Sequence, residues 1–207
     1  MQGPVINYGG AVIHDTRTDE TIFQTALPPA LVQELLLLGK ELNVHAHLYQ
    51  GDGIVYEKAS PAADAYHSFL NLPYTIDPDI CKKVWHNVPK VLFIAEPAYA
   101  EELIPVLAER YAGRAKVSGS KAGFIEFNDP NAHKGAATAW VANYLGIPQC
   151  EVAAAGDNLL DLEMIEWAGL GAAVANGHGA VLAAADCIVP SCAENGVAWM
   201  IDHLILG

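Results

Sequence analysis

The stretch "CEVAAAGDNLLDLEMIEWAGLGAAVANGHGAVLAAADCIVP", residues 150–190, decides the fold. Three short runs of small and apolar residues, "CEVAAAG", "LGAAVA" and "DCIVP", alternate with two helix-like segments, "LLDLEMIEWAG" and "HGAVLAAA". Strands without polar alternation are buried on both faces, and strand–helix–strand repetition of this kind builds a parallel sheet covered on both sides. The long helix expected over "HKGAATAWVANYLG", residues 133–146, extends the pattern upstream.

Outward from this block the character changes. "PPALVQELLLLGKEL", residues 28–42, reads as a helix, with prolines at its start and a broad apolar face. Two strands around Gly51, Asp52 and Gly53 follow, then a helix near residues 62–70, the strand "KVLFIAEP", the helix "YAEELIPVLAERYAG" and a return to strand in "RAKVSGSKAGFIEFND". At the N-terminus "PVINYGGAVIHD" predicts strand, turn and strand, with "ETIFQTAL" completing a small hairpin. The expected architecture is therefore α/β in two lobes: a parallel-sheet core from residues 1–26 and 123–207, and an inserted α/β lobe over 27–122.

Composition narrows the function classes. Eleven basic against 24 acidic side chains give a formal net charge of -13, with no basic patch, so nucleic acid and anionic membranes are not expected partners. The four cysteines form no Cys-x-x-Cys pair and fit a reducing compartment; with no apolar stretch of membrane-spanning length and no secretion signal at residues 1–10, a cytoplasmic protein is expected.

Asp157 directly follows a strand, so it belongs at the carboxyl edge of the sheet, where open α/β folds hold ligands. Asp161, four residues on, is expected on the same side, and two carboxylates there suit Mg2+, a hard cation that keeps few protein ligands. The same pair also reads as an N-cap followed by a first-turn charge. Lys134 starts the preceding helix and would project to the same edge, where its ammonium balances the carboxylates and can hold a phosphate oxygen.

"HKG", "GDNLLDLEM" and "AVANGHGAVLAAADCIVPSCAENGVAWMI" together resemble the haloacid dehalogenase-like phosphatases of the Cof type, and the resemblance spans nearly the whole chain. It implies a Rossmann-like parallel-sheet core with the insert as an α/β cap. It implies Mg2+-dependent hydrolysis of small phosphorylated metabolites, often sugar phosphates, through an aspartyl-phosphate. On the matching positions it implies Asp157 as metal ligand, Lys134 as phosphate-binding lysine, and Asp161 as the carboxylate that holds Lys134 or supports the metal shell.

The chain departs from the pattern in three places. It contains no Asp-x-Asp-Gly-Thr, the family's nucleophile motif, and no later Thr/Ser-Gly-Arg motif; "YQGDGIVY" resembles the first only superficially, with Gln50 at the nucleophile position in a tight hairpin. Leu160 stands where the motif has asparagine, and Gly9-Gly10-Ala11 where Asn-Gly-Ala is common. The family's nucleophile strand is central in its sheet, so its absence predicts an open strand edge closed by new pairing, by a second copy, or by a complementing N-terminal segment. Of the remaining residues, His45 and His47 share one side of a strand and are expected on a solvent- or partner-facing surface. Trp140, Trp167 and Trp199 are expected in the core.

Overall fold

A computed structural model describes residues 2–207. The chain clusters into two compact units, Met1–Glu20 with His133–Gly207, and Thr21–Ala132. These boundaries differ from 1–26, 27–122 and 123–207. The reason lies in pairing: Gln24 Nε2 donates to the Asn87 carbonyl oxygen at 2.9 Å, and the strand at 124–128 is held between two strands of the inserted unit.

The first unit opens with β1 (Pro4–Asn7) and β2 (Val12–Asp15), an antiparallel pair with Ile6 opposite Ile13; β3 (Glu20–Gln24) follows, with all but its first residue in the second unit. In the second unit, α1 (Pro29–Glu41) begins on prolines, whose fixed φ suits a first helical turn. It is followed by β4 (His45–Gln50), β5 (Gly53–Tyr56), α2 (Pro61–Leu70), β6 (Tyr74–Ile76), β7 (Lys90–Ile94), α3 (Pro97–Arg110), β8 (Lys116–Ser118) and β9 (Phe124–Asn128). The six strands form one sheet in the order β6-β5-β4-β7-β9-β8. Period-two alternation sorts its faces. Leu48, Val91, Phe93, Ile125 and Phe127 pack in one cluster with Leu31, Val32, Leu35 and Leu36 of α1, whose spacing makes a single helical stripe. Burying side chains of this size stabilises by about 1.5–3 kcal/mol each, so this stripe anchors the unit. His47, Lys90, Leu92 and Glu126 alternate onto the opposite face.

Back in the first unit, α4 (Lys134–Leu145) leads to β10 (Ala153–Gly156), α5 (Leu162–Trp167), β11 (Leu170–Val174), α6 (Gly179–Ala184), β12 (Cys187–Val189) and α7 (Gly196–Met200). The strands are parallel in the order β10-β11-β12, as the reading of residues 150–190 required. Ala173 packs with Ile165 and Val181, while Ala172 and Val174 pack with Val189 and Met200, so the sheet is covered on both faces. Among the described residues, β10 has a strand on one side only. No helix among them is long and apolar enough to cross a membrane.

The tryptophans are corrected. Trp140 and Trp167 are half-buried and Trp199 is 37% exposed; Trp199 stacks on His203 at 4.5 Å and Trp140 on Tyr144 at 5.2 Å. An apolar helical face carries a ring to the core only where another layer covers that face. His45 and His47 do share one side of β4, but they face inward: His47 is fully buried, and His45 Nε2 lies 3.1 Å from His47 Nδ1.

Candidate active site

The cluster is built at the carboxyl end of β10. Asn158 is the N-cap of the single 3-10 turn Leu159–Asp161, and its side chain accepts the Leu160 N–H at 3.1 Å. Asp161 reciprocates as the third residue of that turn: its Oδ2 accepts the N–H groups of Asp157 at 3.1 Å and Asn158 at 3.0 Å. The N-cap is thus Asn158 rather than Asp157, and the Asn-x-x-Asp spacing that marks such a reciprocal cap stands in the sequence.

The other oxygen of Asp161 receives the ammonium of Lys134, the first residue of α4. Asp161 is 4% exposed. Burial raises its carboxyl pKa, but the Lys134 ammonium and the two backbone donors outweigh that effect and hold the group below its ordinary value. Lys134 keeps an open side, with 37% of its side chain exposed.

Two glycines set this geometry. A Cβ on Gly135 would stand 2.6 Å from the Glu163 carbonyl oxygen, so only glycine lets α4 approach α5 closely enough for Lys134 to reach Asp161. A Cβ on Gly156 would lie 2.4 Å from the Asp161 Cβ. Sequence reasoning recorded both glycines as parts of a pattern and missed their steric role, because a close approach between helices has no local signature. Gly135→Ala should lower the unfolding free energy by about 2–3 kcal/mol, read as a shift in the urea midpoint, because the obstacle is backbone rather than a movable side chain.

Asp157 completes the set. Its side chain is exposed and makes no hydrogen bond or ion pair among the described residues, while its carbonyl oxygen accepts the His178 N–H at 2.7 Å. His178 and His133 each cap a helix, accepting the Ala180 and Ala136 N–H groups through Nδ1 at 3.2 Å. The donor set fits one Mg2+ ligand from the protein, Asp157, since both Asp161 oxygens are already engaged. No group of three or more His, Cys, Asp or Glu among the described residues is arranged to hold a metal ion.

A parallel sheet with a lysine and two aspartates at its rim is a Rossmann-like arrangement. The chain belongs to the haloacid dehalogenase-like hydrolases, matching that family over residues 1–201. It is 32% identical over 206 residues to YxeH of Bacillus subtilis, covering 98% of this chain and 76% of the relative. It is 29% identical over 212 residues to the 5-amino-6-(5-phospho-D-ribitylamino)uracil phosphatase YitU of the same organism, covering 97% and 75%. A haloacid dehalogenase-like hydrolase from Bacteroides thetaiotaomicron superposes with a TM-score of 0.86 at 25% identity, covering 99% of this chain and 77% of that one.

Proposed function

We propose that the chain works as a magnesium-dependent phosphatase of small phosphorylated metabolites, sugar phosphates foremost, through an aspartyl-phosphate whose attacking aspartate stands outside these 207 residues. The observation that carries the reading is the Lys134–Asp161 pair, with the lysine side chain 37% exposed and the uncommitted carboxylate of Asp157 four residues before Asp161. Family membership supports the hydrolase chemistry, and YitU supports a phosphorylated metabolite as substrate.

In this reading Lys134 binds a non-bridging phosphate oxygen and stabilises the charge that shifts during transfer. Asp161 holds Lys134 in place and keeps it protonated. Asp157 holds Mg2+, which supplies charge neutralisation at the phosphate. The open edge of β10 supports a place for a complementing segment or a second copy, since an unpaired strand edge accepts another strand.

A second reading, a ligand-binding protein without turnover, is favoured by two sequence facts: the missing Asp-x-Asp-Gly-Thr, and Leu160, which offers no side-chain hydrogen bond. One assay separates them. The purified chain, alone and with a co-expressed segment bearing Asp-x-Asp-Gly-Thr, is given p-nitrophenyl phosphate with and without Mg2+. Mg2+-dependent release of p-nitrophenol that disappears in Asp157→Ala supports the phosphatase. Lys134-dependent binding of vanadate with no release under either condition supports the second reading.

A further inference from the structure

A pocket of about 400 Å3 opens in the inserted unit where β4 turns into β5, beside the edge strand β6. The volume suits a small metabolite. Register sorts its side chains: Leu48 pairs with Val55 and Val55 with Thr75, and Gln50 lies two residues beyond Leu48, so Gln50, Val55 and Thr75 share the face that packs on α1. Gly53, opposite Gln50, lets the chain close the pocket, since a Cβ there would stand 2.7 Å from the Pro73 carbonyl oxygen. Trp85 packs against the same cluster, and its Nε1 donates to the Ile80 carbonyl oxygen at 2.8 Å, which fixes the indole as one wall.

The polar groups of this pocket favour a positively charged donor. Gln50 Oε1 is shut away from solvent and has no hydrogen-bond partner among the described residues. An acceptor so placed calls for a donor. Asp52 is exposed at the hairpin tip, and neither its carboxylate nor the Thr75 hydroxyl makes a side-chain hydrogen bond or ion pair among the described residues. No Lys, Arg, His or Glu among the described residues lines the pocket, so Asp52 supplies its one charge. The lysines that precede Trp85 are committed elsewhere: Lys82 pairs with Asp79 at 2.7 Å and Lys83 with Asp77 at 2.5 Å.

We propose that this pocket binds a small primary ammonium with an apolar body, its N–H groups shared between Gln50 Oε1 and the Asp52 carboxylate and its body against the Trp85 indole. The charge selects against anions, which meet Asp52 unmatched. The buried acceptor selects for N–H, because a fully alkylated nitrogen carries the charge but cannot donate to Gln50. The indole adds apolar contact and attraction for the cation.

The test is calorimetric titration of the full chain with phenethylamine, its N,N,N-trimethyl derivative, 2-phenylethanol and 3-phenylpropanoate. Phenethylamine should bind saturably, the trimethyl derivative and the alcohol each more weakly by about fivefold or more, and the carboxylate not at all. Gln50→Leu should weaken phenethylamine by about tenfold, the loss of a hydrogen bond to a charged group. Asp52→Asn should weaken it by about threefold to fivefold at low salt and by less at high salt, as an exposed charge does. Far-ultraviolet circular dichroism checks that both variants fold. Absence of saturable phenethylamine binding, equal affinity for the alcohol or the trimethyl derivative, or wild-type affinity in both variants would overturn the proposal. None of these readouts depends on phosphatase activity.

Discussion

Asp161→Ala should lower the unfolding free energy by about 3–5 kcal/mol, the cost of removing one partner from a buried, hydrogen-bonded ion pair. Three donors lose their acceptor at once: the Lys134 ammonium and the N–H groups of Asp157 and Asn158. Asp161→Asn keeps an oxygen for the backbone donors but no charge for Lys134, so it should fall between wild type and alanine. Urea unfolding of the three proteins at pH 7 measures the order. An alanine variant within about 1 kcal/mol of wild type would mean that water replaces the carboxylate freely, a result expected of exposed pairs. Because the same carboxylate positions the lysine, vanadate affinity should fall in both variants, and more steeply than in a variant of the neighbouring exposed residue Leu159.

The second large effect is a loss of stability between pH 6.5 and pH 4 that originates in the inserted unit. Burial lowers the His45 pKa from 6.5 to about 4, and burial also holds that of His47 well below its ordinary value, helped by the charges of His45 and Lys90. Both rings are neutral in the folded protein at pH 7, with His45 bonded to His47 and to Ser60. The sign follows from linkage. The unfolded chain takes up protons as the pH drops below 6.5 while the folded chain does not, so stability is complete above pH 6.5 and is lost on the way down to pH 4. For His45 alone the shift amounts to about 3 kcal/mol. Urea midpoints at pH 7, 6, 5 and 4.5 should show the decline. His45→Gln, which cannot titrate but retains hydrogen-bonding capacity, should make it shallower; an unchanged slope in that variant would assign the loss to other groups.

Much of the first unit was legible because its signals are local. Small apolar runs alternating with helical spacing between residues 150 and 190 fix a parallel sheet, and the structure has it in that order. The Lys134–Asp161 contact was legible because a helix start and a strand end meet at the same sheet edge. What the sequence hid were contacts across the fold. Phe124–Asn128 reads as a strand by its alternating pattern, but its place between β7 and β8 depends on pairing with β7, whose partners lie at residues 90–94. The inward turn of His45 and His47 was hidden for the same reason, since it depends on rings brought in from elsewhere, Tyr66 of α2 against His47 at 4.7 Å and Tyr56 of β5 against His45 at 5.7 Å. Asn158 shows a local signal with a different meaning: its Asn-x-x-Asp spacing to Asp161 marks the reciprocal cap that ties this turn together.

The reciprocal cap at Asn158 and Asp161 has a consequence for how such a protein diversifies. The peptide that carries the Asp157 side chain is tied through its own N–H to the carboxylate that fixes the Lys134 ammonium, so these groups form one hydrogen-bonded clasp. Every member of the clasp is contributed by residues 134–161, and none by the inserted stretch. Substitutions between residues 21 and 132 can therefore accumulate without replacing any member of that clasp.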